Sequence, residues 1–550
     1  MNTNAGQAPG YQGTDKLLYG IILGVIAFWM FAQTTLNIAP DMQRELGLDA
    51  SMMNIAVAIT ALFSGIFIVV MGGLADRFGR VKVVTLGFYL NIAGSLLIAI
   101  APTGELASAF LMVGRALQGL SAACIMPASL ALVKTYWDGP ARQRAVSLWS
   151  IGSWGGSGVC SLFGGLVTAN FGWRYIFVAS IVVSIIGLLM IRGTPESKAE
   201  VKGSYKFDFA GVATFMIAMI ALQIVVTQGN KFGWTSPAML GLIAVTVIFG
   251  ALFFRIERTT AQGFVDFKLF NNPTYTGATI SNFLLNGVAG TLLVSLQLVQ
   301  FGGDMSAQQA GILTLGYAIT IIAFIRVGEK LLQRLGPRRP MIWGALIVAV
   351  ACLLLMSTNL LISQYVIMAA IAYTLFGIGL AFYATPSTDA ALSNLPADQA
   401  GSGAGIYKMA SSLGSAIGAA LSLAVFTAMA GSGADFIGSV VSMSGRTDNV
   451  ALRQAGMLGI GISLLFCVLA VLSITTTVPK GGGSRQLGIS AETPHPTPQL
   501  PPDEEKAALV ARLSEYSLDE LRALERQVLL NEVARLDGDL LERLVESQRD

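Results

Sequence analysis

The sequence predicts an all-α integral membrane fold of fourteen transmembrane helices, and three observations predict it. Only 12% of the 550 residues are charged and the mean hydropathy is +0.65, a balance suited to a chain whose solvent is lipid. Fourteen apolar runs reach the length of about 20 residues that a helix needs to cross a hydrocarbon core of about 30 Å. Lys and Arg then collect on alternate connections, as expected when basic loops stay on one side of the bilayer.

The runs fall at 17–39, 52–72, 83–101, 106–133, 143–168, 172–192, 209–228, 237–254, 275–299, 308–327, 340–358, 364–387, 401–428 and 454–477. Lys16 precedes a first run too long for a cleavable signal core, so the run is expected to remain as helix 1. Basic residues mark the inner connections at Arg77, Arg80 and Lys82; at Lys134, Arg142 and Arg144; from Arg192 to Lys206; at Arg255, Arg258 and Lys268; and from Arg326 to Arg339. Only Arg44, Arg174, Lys231, Arg446 and Arg453 fall on the outer side, which places both termini in the cytoplasm. Arg115 and Lys408 fall inside helices 4 and 13. A charge in hydrocarbon is expensive and marks a functional position by default, with snorkelling from a helix end as the plainer reading of Lys408. Cys124, Cys160, Cys352 and Cys467 all lie within apolar runs and read as small packing residues. The single histidine, His495, stands in a Pro-rich stretch outside them, so neither a His-based metal site nor a catalytic triad is expected in the membrane.

Helix 2 ends on Gly72-Gly73-Leu74-Ala75-Asp76-Arg77-Phe78-Gly79-Arg80-Val81-Lys82, an acid followed by three bases around a glycine turn. Gly72 and Gly79 permit close backbone approach, and Asp76 can cap the positive end of a facing helix and hold one state of a gate. A degraded copy, Gln333-Arg334-Leu335-Gly336-Pro337-Arg338-Arg339, follows helix 10 and relates helices 1–6 to helices 9–14, with helices 7 and 8 inserted. Helix 4 carries Gly114-Arg115-Ala116-Leu117-Gln118-Gly119. Helix 5 carries Gly155-Gly156-Ser157-Gly158 and Gly164-Gly165, a face for close helix packing.

The helix-2 loop closely resembles the signature of the major facilitator family, and the helix-4 and helix-5 strings resemble that family's motifs there. With fourteen spans, the chain resembles the fourteen-helix drug:proton antiporter branch over about residues 15–480. Strings such as Asn282-Phe283-Leu284-Leu285-Asn286-Gly287 and Gly405-Ile406-Tyr407-Lys408-Met409-Ala410 are similar to the NorB/NorC type of quinolone and multidrug efflux pump. The resemblance implies a major facilitator fold arranged 6+2+6 and export of amphipathic drugs against an ion gradient. It further implies proton coupling in which Arg115 takes part, a helix-5 antiporter motif (Gly156, Cys160, Gly164, Gly165), no cofactor, and a bacterial-type cytoplasmic (inner) membrane as the location. Two departures matter. Cys160-Ser161 stands where the branch usually has a Gly-Pro step, which puts the helix-5 kink in doubt. Helix 1 reads Phe31-Ala32-Gln33-Thr34 where many members carry an acid, so zwitterionic or carboxylate-bearing drugs suit this chain better than dications. The proton carrier is therefore open among the acids nearest the transport path, Asp389, Asp41 and Asp76, with a helix-end cap as the plainer reading of Asp389; Arg115 and Lys408 are the further coupling candidates.

A drug pocket should be apolar and aromatic with a few polar anchors. Candidates are Phe28, Trp29, Phe31, Gln33, Asn37, Trp149, Trp154, Asn282, Asn286 and Tyr407, each with packing or lipid contact as its plainer role. The expected partners are amphipathic drugs and lipid, with no nucleic acid, for a chain acting as a monomer. The layout is a cytosolic N-terminus (1–16), a six-helix bundle (17–192), the inserted pair (193–274), a second bundle (275–480), a flexible Gly- and Pro-rich linker (481–502) and a helical tail (503–550). That tail carries seven basic and thirteen acidic side chains and an apolar stripe including Leu518, Leu521, Val528 and Leu536. A regulatory, partner-binding or self-association module is the preferred reading, an engineered appendage the alternative. Export or uptake of a metabolite or siderophore by the same fold is the competing function. A membrane enzyme would need a catalytic constellation, which the sequence does not show, and a non-transporting receptor would need neither paired gate loops nor buried bases.

Overall fold

The computed structural model describes residues 11–48, 50–199, 208–260, 267–305, 307–360, 362–432, 443–444 and 449–480. The chain divides into two units, residues 1–487 and 488–550, and every described residue belongs to the first. The predicted linker and acidic tail lie outside the described residues, as do residues 1–10 and the side chain of Asn37.

Among the described residues fourteen long helices follow one another: α1 (15–46), α2 (Ala50–Phe78), α3 (Arg80–Ala99), α4 (Glu105–Tyr136), α5 (139–171), α6 (Arg174–Ile191), α7 (Phe209–Phe232), α8 (Pro237–Thr259), α9 (273–302), α10 (307–335), α11 (Arg338–Leu355), α12 (Ile362–Ser393), α13 (Ala400–Ser432) and α14 (Val450–Thr477). Length and hydropathy alone find 13 membrane-crossing helices. The helix they miss is α5, whose basic start and Gly/Ser-rich middle dilute its apolar content although its backbone runs on from 139 to 171. Leu, Ile and Val side chains on α6, α8, α10, α11 and α14 remain exposed, as a face turned to lipid requires.

The packing repeats. Helix α4 lies against α2 and α3, α3 against α6 and α1 against α6, while α12 lies against α10 and α11, α11 against α14 and α9 against α14. The halves meet along the matching pairs α2 with α13 and α5 with α10. Glycines set that approach: a Cβ at Gly72 of α2 would run into the Gly401 carbonyl of α13, and one at Gly405 would lie 3.0 Å from the Ile68 carbonyl. Inserted helix α7 packs on α8 and reaches both α2 and α13.

Two helices are interrupted by π turns, α1 at Ala27–Ala32 and α5 at Ile151–Gly155, and α9 ends on one at Leu298–Gly302. Such turns break the i→i+4 ladder and re-aim side chains, often at functional positions. They also answer the doubt over α5. Its irregularity comes at Ile151–Gly155, about a turn and a half before Cys160-Ser161, so the missing Gly-Pro step does not leave the helix regular.

Candidate transport path and gate

The basic loops gather at one end of the bundle, and there the halves are tied together. Asp76, buried in the last turns of α2, accepts from the backbone N–H groups of Gly401 (2.7 Å) and Ser402 (2.8 Å) in the first turn of α13. Its carboxylate thus takes two otherwise unpaired amides at the positive end of a helix in the other half. Arg80 donates from Nε (3.1 Å) and Nη2 (2.8 Å) to Asp76 Oδ1, and from Nη2 to the Ala397 carbonyl (2.6 Å) ahead of α13. Its Nη1 donates to the hydroxyls of Thr135 (2.5 Å) and Ser197 (3.0 Å). A second tie joins Arg142 at the start of α5 to Asp389 of α12, 2.9 Å apart and both largely buried. Lys134 Nζ donates to the Ser393 carbonyl across the same seam. Arg77 stands in the last turn of α2 and Lys82 is exposed. The degraded copy lacks the helix cap: Gln333 donates to Glu329 on its own helix, which also pairs with Arg326.

Deeper in the bundle, Lys408 of α13 projects across the seam. Only 6% exposed and without an ion pair among the described residues, its Nζ lies 5.1 Å from the ring centre of Trp149 on α5 and 6.0 Å from that of Trp29 on α1. Indole faces attract a cation, more strongly as water is removed. Phe28 backs the group edge-on against Trp29, whose buried Nε1 has no hydrogen-bond partner among the described residues. On the other side, Asn282 of α9 donates to the Tyr407 carbonyl (2.8 Å) and to Ser411 Oγ (2.7 Å), and Asn286 donates back to Asn282 Oδ1 (2.9 Å). The Tyr407 hydroxyl continues into a buried chain with Ser387, Thr388, Tyr383 and Ser281. The structure therefore groups Trp29, Trp149 and Lys408, with Asn282, Asn286 and Tyr407 as the wall beside them. Phe31 turns instead against Phe163 in the first half's own core. Gln33 sits in the turn after the π segment, and Trp154 lies within the π segment of α5.

Arg115 is a brace rather than a lining residue. Fully buried on α4, it donates to the carbonyls of Ala32 (2.7 Å) on α1 and Ala56 (3.2 Å) on α2 and to Gln118 Oε1 (2.9 Å), and no carboxylate pairs with it among the described residues. The chain runs on from Gln118 to Ser95, and Ser95, Asn91, Ser180 and Ser184 carry it to α6. Ala32 closes the π segment, so the guanidinium satisfies a carbonyl at the break in helix 1. Asp41 is half-exposed near the opposite end of α1 and pairs locally with Arg44. In α5, Gly156 and Gly164 face α1 at Trp29 and Thr34, whose hydroxyl donates to the Cys160 carbonyl (3.0 Å); a Cβ at Gly165 would meet nothing.

Sequence reasoning missed the cross-seam contacts of Arg142 with Asp389 and of Arg80 with Ala397, the Thr135 contact of Arg80 within the first half, and the segment 194–199, which folds over the gate loop. Nothing in periodicity marks them. The faint signal was Pro195-Glu196-Ser197 directly after an apolar run.

The sequence model of the Major Facilitator Superfamily matches this chain over residues 21–419 and again over residues 274–511. The chain belongs to that superfamily. Among its relatives, the quinolone resistance protein NorB of Staphylococcus aureus strain MRSA252 is 50% identical over 416 residues, covering 76% of this chain and 89% of the relative. NorB of strain MSSA476 is 49% identical over 433 residues, covering 79% and 93%. Similar solved folds include the proton:xylose symporter XylE, a major facilitator protein bound to 6-bromo-6-deoxy-D-glucose (TM-score 0.57, 14% identity, 85% of this chain and 96% of that one). The human organic anion transporter MFSD10 is another (TM-score 0.54, 15% identity, 83% and 98%). The family and fold are those of multi-pass membrane transporters.

Proposed function

We propose that this major facilitator protein is a secondary exporter of amphipathic drugs, quinolones among them, working by alternating access and proton antiport in a bacterial cytoplasmic membrane. The basic-loop end and both termini face the cytoplasm in this reading. The observation that carries it is a cation held against two indoles on the seam between halves that the contacts named above lock together at the basic-loop end. The half-identical relatives named as quinolone resistance proteins supply the substrate class.

Lys408 is the group best placed to carry the exchanged proton. Asp76 and Asp389 are engaged in the gate, Asp41 stands at an exposed end, and a guanidinium such as that of Arg115 keeps its proton, whereas an ammonium can give one up. Protonated, Lys408 occupies the faces of Trp29 and Trp149; neutral, it yields them to the amine and aromatic plane of a drug. With no acid beside it among the described residues, the site balances one positive charge at a time, so monocations and zwitterions are favoured over dications. Vesicles driven by an imposed pH gradient provide the test: a fluorescent quinolone should be carried, and Arg115→Ala should abolish its movement. Strong preference for permanently charged dications would sink the single-charge site.

A further inference from the structure

After α6 the chain does not leave the gate directly. Residues 194–199 lie across the loop between α2 and α3 and are fastened at six points, five on the adjoining ends of α2 and α3 and one on α4. Glu196 accepts from the backbone N–H of Val81 (2.9 Å) and Lys82 (3.1 Å), capping the first turn of α3. The Ser197 carbonyl accepts from the Arg80 N–H (2.9 Å), and its hydroxyl accepts from Arg80 Nη1 (3.0 Å). Ala199 N–H donates to the Asp76 carbonyl, and the Tyr136 hydroxyl donates to the Pro195 carbonyl (2.6 Å). Gly79 turns between α2 and α3 with φ +123°, and a Cβ there would run into the Glu196 carboxylate. Ser197 is 1% exposed.

We propose that this strap, through Glu196 and Ser197, is a positioning element of the gate: it holds the Arg80 guanidinium in the one orientation that reaches Ala397 of the other half. All its contacts named here lie within the first half, so it travels with Arg80 whether the gate is closed or open. Arg80 makes five side-chain bonds with its five N–H donors, to Asp76 twice, Thr135, Ser197 and Ala397, and only the last crosses the seam. A long side chain left free would lose rotamer freedom each time the gate closed; pinned by Ser197 together with Asp76 and Thr135, it has lost it already. Glu196 acts one step back, by holding Ser197 over the gate loop. The strap is also the start of the connection to the inserted pair, which gives that connection a task beyond joining two bundles.

The inference rests on the alternating-access reading only for the existence of an open state. The test is double electron–electron resonance on the full-length protein in nanodiscs without drug, with spin labels at Ala141 in α5 and Arg339 in α11, on opposite sides of the gate. Ser197→Ala and Glu196→Ala should raise the ratio of long to short distances roughly five- to tenfold, the scale of the rotamer freedom that an unpinned arginine must give up to reach Ala397. Ser197→Thr, which keeps the hydroxyl, should restore the wild-type distribution. Asp76→Ala serves as a positive control for opening. If that control opens and Ser197→Ala does not, or if Ser197→Thr shifts as far as Ser197→Ala, the strap has no positioning role. Absence of a second distance in every variant would overturn alternating access and the proposal with it.

Discussion

Replacing Asp76 by Asn removes charge from the place where the halves are most closely joined, and the structure says how much the gate should loosen. Four hydrogen bonds converge on this carboxylate, two from Arg80 and two from the first turn of α13. The Arg80 bonds lie within one half and persist when the gate opens, so they cancel from the equilibrium. The Gly401 and Ser402 bonds exist only in the closed form. An amide keeps one acceptor oxygen and turns an NH2 group toward the other backbone N–H, losing at least one charge-assisted bond, about 1.5–3 kcal/mol. The closed-to-open ratio should fall by roughly 10- to 150-fold. The assay is modification of a cysteine substituted for Ala404, one turn before Lys408 on the same face of α13 and buried in the closed form, by an impermeant thiol reagent added from the basic-loop side; the four native cysteines are buried. An unchanged modification rate, with folded protein recovered in normal yield, would refute the assignment of Asp76 as the latch.

Other consequences follow from the same geometry. Gly72→Val should leave expression intact but block closure, because any Cβ there meets the Gly401 carbonyl, and transport should fall to background in vesicles. Arg142→Ala leaves Asp389 buried without its partner, a loss of about 3–5 kcal/mol in closed-state stability, whereas Arg142→Gln with Asp389→Asn should recover part of it; thermal unfolding of single and double variants checks the order. Arg115→Lys cannot span the carbonyls of Ala32 and Ala56 together with Gln118, so the melting temperature should drop and drug transport be lost even though charge is kept. Trp149→Ala should weaken quinolone binding by about 1–2 kcal/mol, measured as the KM of export, and should also lower the melting temperature, because the indole is buried and donates to Ser129 Oγ.

Much of this molecule was legible in its sequence. Hydropathy and loop charge are consequences of the bilayer and act on every segment alike, so the fourteen helices could be read, including α5, which its dilute glycine-rich middle hides from a length-and-hydropathy count. The gate loop was legible because Gly72 and Asp76 carry unusual demands, close approach and a charge beside a helix end. Arg115 and Lys408 were conspicuous for their cost, but what each touches was not readable. One reaches backbone carbonyls, which any sequence offers; the other reaches indoles from two distant helices. The π turns of α1, α5 and α9 have no composition of their own, so the real irregularity of α5 was sought at Cys160-Ser161 and found at Ile151–Gly155. The strap was invisible for a similar reason, since five of its six ties are made by its backbone or received from backbone N–H groups that any side-chain pattern would leave in place.

The central claim is exchange of drug for proton at Lys408. It is tested most directly by purified protein in sealed liposomes carrying an internal pH-sensitive dye, with a quinolone gradient as the only driving force. Wild-type protein should move protons against the direction of drug flow. Lys408→Gln should abolish that proton flux while retaining measurable quinolone binding. Drug movement in wild-type liposomes with no change of internal pH, or an unaltered proton flux in Lys408→Gln, would contradict the account.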